Sequence, residues 1–262
     1  MSRAKPGRIR KLAIVTGGAS GIGEATARLF SKNGYDVVIF DVDERGRRVA
    51  KEIGGKQQKA MFVRCDITKE PQVKNGVGVL RKMHLRVDSL INVAGIALIK
   101  PLEKTTWQDY RKIVDVNLGG TFLLCKHVVP IMKAQRRGSI VNVASVSAYA
   151  GQPFRSVYSA TKGAIVSFTK SLAWELAPYD IRVNCVSPGL VDTPLFRRNV
   201  RTESSIRGIS VKELEERKKA DQAFKRFADP SEVAKVAYFL ASQDSSFVDA
   251  VDVPVDSGWL AK

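Results

Sequence analysis

Short runs rich in β-branched residues alternate along the chain with longer stretches whose apolar positions recur every three to four residues. KLAIVT (11–16), DVVIF (36–40), KAMFVR (59–64), VDSLINV (87–93), SIVNVAS (139–145) and IRVNCVS (181–187) predict strands, with a weaker terminal strand over 250–255. The periodic segments 21–33, 44–54, 70–84, 106–135, 157–177 and 230–241 predict helices, the one over 106–135 interrupted. Strands apolar on both faces and separated by helices predict a parallel sheet covered on both sides. Right-handed crossovers then make it a doubly wound α/β fold. No repeat, low-complexity tract or linker divides residues 1–262, which read as a single domain. The rhythm breaks once, over 192–229, in a charged and partly helical segment that follows the sixth strand. It emerges where open α/β sheets bind ligands, so it is expected to form a lid.

Forty-four per cent hydrophobic residues support a core-forming globular chain. No apolar run reaches the roughly 18 residues expected of a membrane span. The basic N-terminus (Arg3, Lys5, Arg8, Arg10, Lys11) leads directly into a strand without a signal-peptide core, which predicts a cytoplasmic protein. Cys65, Cys125 and Cys185 are dispersed and odd in number, as buried thiols would be. His84 and His127 join no ligand cluster, and no metal site is expected. The balance of 43 basic against 26 acidic residues gives a net charge of +17. That charge suits attraction for an anionic substrate, a phosphorylated cofactor or nucleic acid, or an ion-paired surface. The stretch 193–226 holds ten Lys/Arg against five Asp/Glu, which hints at an anionic or polyhydroxylated substrate. No nucleic-acid-binding motif accompanies it.

The first predicted strand ends at Thr16 and leads through Gly17-Gly18-Ala19-Ser20-Gly21-Ile22-Gly23 into a helix. Glycines allow the turn to tighten and a pyrophosphate to approach, while free N–H groups at the helix start face its charge. The second strand ends at Asp41, placed to accept hydrogen bonds from the adenosine ribose hydroxyls. The same carboxylate repels an added 2′-phosphate by about 4 kcal/mol at roughly 4 Å and an effective dielectric near 20, favouring NAD over NADP. Arg45, Arg47 and Arg48 are the counterweight, since one could fold over the ribose. Asp66 and Ile67 after the third strand are placed for adenine, and Asn92, Ala94 and Gly95 for the cofactor ribose. Pro188, Gly189, Val191 and Thr193 after the sixth strand are candidates for the nicotinamide carboxamide.

Tyr158 and Lys162, four residues apart, share one face of a predicted helix. Lys follows at that spacing after only one of the six tyrosines. A free tyrosine titrates near 10, about three units above a good proton carrier at neutral pH. One ammonium near 4 Å supplies about 4 kcal/mol toward closing that gap. Lys162 thus qualifies as an activator whose remaining N–H groups reach the nicotinamide ribose. Ser145, placed at the end of the fifth strand, is a candidate to bind the substrate oxygen, with Ser147 two residues away. Asn117 falls inside a long helix, where a poor helix former suggests a kink holding a water.

TGGASGIG, Asp41, CDIT (65–68), NVAG (92–95), Asn117, Ser145, YSATK (158–162) and PGLVDTP (188–194) occur in this order. Over about 10–260 the chain resembles the classical short-chain dehydrogenases/reductases. The resemblance implies a Rossmann-type sheet of about seven strands and a proton relay through Asn117, Ser145, Tyr158 and Lys162. It implies a secondary alcohol/ketone substrate, and a homotetramer or homodimer assembled through the helices near 106–135 and 157–177. Two departures stand out: Val93 where the family usually has Asn, and VDSGW near the C-terminus where VDGG is common. The 3-oxoacyl-carrier-protein reductases are one alternative, but Trp174 replaces the basic residue they tend to present to the carrier. A catalytically silent dinucleotide-binding regulator is another, against which the retention of Ser145, Tyr158 and Lys162 argues.

Overall fold

The computed structural model describes residues 10–55, 58–82 and 86–262. Among them β1 (Lys11–Thr16), β2 (Tyr35–Asp41), β3 (Ala60–Arg64), β4 (Ser89–Asn92), β5 (Gly138–Val143), β6 (Ile181–Pro188) and β7 (Asp252–Val255) form one sheet. Its order is β3-β2-β1-β4-β5-β6-β7, and all six pairings are parallel. The order reverses between β1 and β4, which opens a crevice at their C-terminal ends.

The helices are α1 (Gly21–Lys32), α2 (Arg45–Ile53), α3 (Glu70–Lys82), α4 (Trp107–Val114), α5 (Gly120–Gln135), α6 (Ser156–Leu176), α7 (Pro194–Arg207), α8 (Val211–Ala220) and α9 (Pro230–Ala241). Alternation along the strands sorts the core into two layers. Leu12 and Ile14 face a layer with Leu80 of α3, Leu124 and Met132 of α5, and Leu176 of α6. Ala13 and Val15 face the opposite layer, with Phe30 of α1, Val49 of α2 and Leu240 of α9. Each fully buried large apolar side chain contributes about 1.5–3 kcal/mol, and both faces of the sheet gain it. No described helix is long and apolar enough to cross a membrane. No group of three His, Cys, Asp or Glu among the described residues is placed to hold a metal.

Three expectations change in detail. The interruption in 106–135 is a π-helical turn over Asp115–Gly119, centred on Asn117. The fifth strand ends at Val143, because Ala144 donates the last ladder bond to Val186 and the chain then leaves the sheet. Ser145 therefore caps the short turn Val146–Ala148 instead of closing the strand. The segment 192–229 is mostly helical: Thr193 and Ser210 cap α7 and α8 by accepting from Phe196 N and Glu213 N. The end of the helix expected over 70–84, including His84, lies outside the described residues, as do Arg3, Lys5 and Arg8.

Candidate active site

The crevice begins at the glycine turn between β1 and α1. Gly21 has φ +56, a conformation that favours glycine. A Cβ on Gly23 would stand 2.1 Å from the Gly17 carbonyl oxygen, so only glycine lets α1 start this close to the strand end. The turn is tied to its neighbours from both sides. Thr16 Oγ1 accepts hydrogen bonds from Val93 N and Ala94 N, both 3.0 Å. Asp41 Oδ2 accepts from Ala19 N at 3.0 Å, and Asp41 Oδ1 accepts from Asp43 N at 3.0 Å.

The resulting groove has a volume of about 470 Å³. It is lined by Gly17, Ser20, Gly21, Ile22, Gly23, Asp41, Asp66, Ile67, Ala94, Gly95 and Thr193, among others. Asp66 Oδ1 takes both hydrogen bonds of Thr68, from N and Oγ1. Asn92 is not brought to the groove. Its side chain is buried in the sheet, where Nδ2 donates to Asn142 Oδ1 at 2.9 Å. The three arginines that could have folded over a ribose phosphate each meet a carboxylate, although Arg45 still lines the groove, as does Arg198. Arg45 pairs with Asp43 at 2.6 Å, Arg47 with Glu44 at 3.1 Å, and Arg48 lies 3.8 Å from Glu52. The Arg45 hydrogen bonds hold the Asp43 carboxyl below its usual range.

The groove continues past Ile22, Val93, Gly95, Ile96, Thr193 and Leu195 into a second cavity of about 120 Å³. Here the chain brings together Ser145, Tyr158, Lys162, Pro188, Gly189 and Val191. Lys162 is 4% exposed; its Nζ donates to Val143 O at 2.8 Å and lies 5.8 Å from the Tyr158 ring centre. The lysine is thus held by the end of β5 while its charge faces the phenol. Ser145 Oγ accepts from Ser147 N at 3.1 Å, an arrangement that leaves its own O–H to point at a ligand. Gly189 is pressed against Asp256, whose Cα would be 2.9 Å from an added Cβ.

Asn117 is fully buried and its amide is occupied. Oδ1 accepts from Ile96 N at 2.9 Å, and Nδ2 donates to Ile96 O at 3.0 Å and Thr161 Oγ1 at 3.1 Å. Thr161 in turn donates to Tyr158 O at 2.7 Å. The side chain therefore pins the loop after β4 to the turn of α6 that carries Tyr158 and Lys162. Sequence reasoning missed Thr16 and Thr161. A hydroxyl at a strand's C-terminal end was the available signal for Thr16, whereas nothing local distinguishes Thr161.

In the lid, six of the ten basic residues of 193–226 are ion-paired. Arg197 pairs with Asp192, Arg207 and Lys218 with Glu203, Arg217 with Glu213, Lys219 with Glu216, and Arg226 with Glu232. Much of its charge therefore serves ion pairing. The C-terminal departure also has a structural consequence. Ser257, standing where glycine is common, keeps a left-handed φ of +56, and its Oγ accepts from Phe224 N at 2.8 Å. A wider groove at the opposite, N-terminal edge of the strands is lined by Lys11, Arg137, Arg182 and Phe247 and is remote from these groups.

Comparison with known proteins agrees with this geometry. The model of the Enoyl-(Acyl carrier protein) reductase family matches residues 17–260. Cyclopentanol dehydrogenase of Comamonas sp. is 34% identical over 257 residues, covering 97% of this chain and 99% of the relative. A 3-oxoacyl-[acyl-carrier-protein] reductase of Chlamydia pneumoniae is 36% identical over 254 residues, covering 95% and 97%. Among solved structures, an actinorhodin polyketide ketoreductase with NADPH superposes with a TM-score of 0.91 at 32% identity, covering 95% and 97%. The chain belongs to the short-chain dehydrogenase/reductase family.

Proposed function

We propose that this member of the short-chain dehydrogenase/reductase family is an NAD-dependent enzyme that interconverts a secondary alcohol and its ketone. The observation that carries the reading is the joint cavity: Lys162 fixed on Val143 O beside Tyr158 and Ser145, opening into a groove whose far end is Asp41. The cofactor fits the residues present, since Gly17, Ser20, Gly21, Ile22 and Gly23 line a cradle at the α1 N-terminus, where helix N–H groups favour a pyrophosphate. When bound, the nicotinamide accepts or returns a hydride.

The protein's own part is positioning and proton transfer. Ser145 donates to the substrate oxygen and aims it at Tyr158. Tyr158 takes the hydroxyl proton in oxidation and returns it in reduction, with the Lys162 ammonium stabilising the phenolate. Asn117 holds α6 against the loop after β4, and a water beside it completes a proton path from Lys162 to solvent. Asp41 accepts the adenosine ribose hydroxyls. The Asp41 carboxylate favours NAD, and Arg45, which lines the same groove, is engaged by Asp43. Trp174, 82% exposed on α6, presents no cation to an acidic carrier, which disfavours the acyl-carrier-protein reading.

We place the enzyme in the cytoplasm as a homodimer or homotetramer. The exposed Phe122 on α5 and Trp174 on α6 support assembly through those helices. The test is turnover of secondary alcohols and ketones followed at 340 nm with NAD(H) and NADP(H). Faster turnover with NAD(H) is expected. Tight NAD binding without turnover across a broad panel would instead favour the regulatory reading.

A further inference from the structure

A third cavity, of about 180 Å³, lies between the loop before α6, the lid helices and Trp259. It shares Val146, Gln152, Arg155, Gly189 and Leu190 with the cavity of Tyr158 and Ser145, so the two adjoin. Its wall carries an unbalanced charge. Glu203, 3% exposed, accepts from Arg155 Nη2 at 3.1 Å and Arg207 Nε at 2.9 Å, and lies 2.8 Å from Lys218 Nζ. Three cations thus share one carboxylate. At the rim Asp221 also lines the cavity, and Lys262 Nζ lies 3.4 Å from its carboxylate.

Burial works against ionisation of Glu203, but Lys218, Arg155 and Arg207 outweigh it and hold its pKa below the usual range. Burial pulls the Lys218 pKa down, opposed by Glu203. The second observation is independent of charge. Gln222, 2% exposed, lines the same cavity, and its Nε2 is buried without an acceptor. A buried donor without a partner costs free energy, and two largely buried cations, Arg155 and Lys218, on one carboxylate do so too. One ligand chemistry answers both: an anionic oxygen acceptor.

We infer that this cavity seats a carboxylate of the substrate, so that the alcohol/ketone pair is a short hydroxy acid and its oxo acid. The inference rests on the dehydrogenase reading above. The hydroxyl end lies at Ser145 and Tyr158, and the carboxylate reaches Arg155, Lys218 and Gln222. In oxidation the carbinol carbon gives its hydride to NAD⁺ and the hydroxyl proton goes to Tyr158. The products are the oxo acid, NADH and a proton, and the carboxylate is unchanged.

The experiment uses the full-length enzyme in two arms. In the first, kcat/KM with NAD⁺ is measured for lactate, 3-hydroxybutanoate and 4-hydroxypentanoate and for the methyl ester of each. At least one acid should exceed its ester by about tenfold or more, the worth of one hydrogen bond to a charged group. That acid-over-ester ratio should collapse in Gln222→Leu and in Lys218→Met. In the second arm, the Tm of the NADH complex is measured with butanoate and with butanamide. Only butanoate should raise it, and neither variant should show the rise. Esters preferred throughout, or a ratio unchanged in both variants, would overturn the carboxylate seat and leave the dehydrogenase reading standing. If none of the six turns over, the dehydrogenase reading is left to the broad panel of alcohols and ketones and the second arm alone decides the seat: a butanoate-specific rise supports it, and its absence overturns it.

Discussion

Replacing Asp41 by Asn isolates the charge at the far end of the cofactor groove. The carboxylate makes two hydrogen bonds, from Ala19 N and Asp43 N, both at 3.0 Å. An amide has one acceptor oxygen, so one of these N–H groups loses its partner. Ala19 is 2% exposed, and orphaning its N–H would cost about 1–3 kcal/mol. Part of that cost falls on the glycine turn, so NAD⁺ affinity should drop roughly tenfold. The opposing effect concerns NADP⁺ alone. A unit charge at about 4 Å repels the 2′-phosphate by about 4 kcal/mol at an effective dielectric near 20, a ceiling of about 10³ in preference.

Asp41 is half-buried, and salt screens the remainder, so a shift well below that ceiling is expected. The NAD⁺/NADP⁺ ratio of kcat/KM should fall by about 10- to 100-fold in the variant. It is measured with one alcohol substrate at fixed ionic strength. Arg45 remains on Asp43, so the neighbouring carboxylate stays neutralised and does not mask the change. A folded variant whose ratio moves less than twofold would refute the argument. Asp41 would then serve the turn and not cofactor choice.

Four further outcomes are expected. Tyr158→Phe should abolish turnover at 340 nm while NAD affinity, read by fluorescence titration, stays within a few-fold; wild-type-like turnover would sink the proton-transfer role. Gly23→Ala places a methyl 2.1 Å from Gly17 O and should remove NAD-induced thermal stabilisation, so an unchanged Tm rise with NAD would contradict the cradle. Burial raises the thiol pKa of Cys65 to about 11 and of Cys125 to about 12, and raises that of Cys185 as well. All three should therefore resist a thiol reagent at pH 8 until denaturant is added; rapid native labelling would be inconsistent with the packed core. The Glu203 cluster, with a lowered carboxyl pKa, should stabilise the lid fully above the ordinary glutamate value near 4.3 and lose that support as pH falls through the lower folded value. Limited acid proteolysis should then cut first within 194–220, and cuts beginning elsewhere would argue against it.

The sheet was legible because its strands are apolar on both faces and its helices are not. Leu12 and Ile14 feed one layer and Ala13 and Val15 the other, so the run itself announced a strand covered on both sides. The glycine turn and the Tyr158–Lys162 spacing were legible for a similar reason: each depends on neighbours within a few residues. Asn117 was recognisable as a misfit in a helix, and the π turn is how the backbone accommodates it. Asn92 was assigned by its place in NVAG, yet in a strand one position decides which side of the sheet a residue faces. Its side chain bonds Asn142 inside the sheet while Ala94 and Gly95 reach the groove.

What stayed hidden depends on pairing across long stretches of chain. The lid's ten basic residues suggested attraction for an anion spread over the whole segment. The fold instead pairs Arg197, Arg217, Lys219 and Arg226 with nearby carboxylates, which removes them from that role. Arg198, Arg201, Lys212 and Lys225 take no carboxylate partner among the described residues, and Arg155 from before α6 meets Arg207 of α7 and Lys218 of α8 on the single carboxylate of Glu203. Arg155 and Glu203 are 48 residues apart, and no local pattern relates them. Net charge therefore predicts little about substrate in this chain. Of these three cations Arg155 alone lines the cavity of Tyr158, and only the folded arrangement places it there.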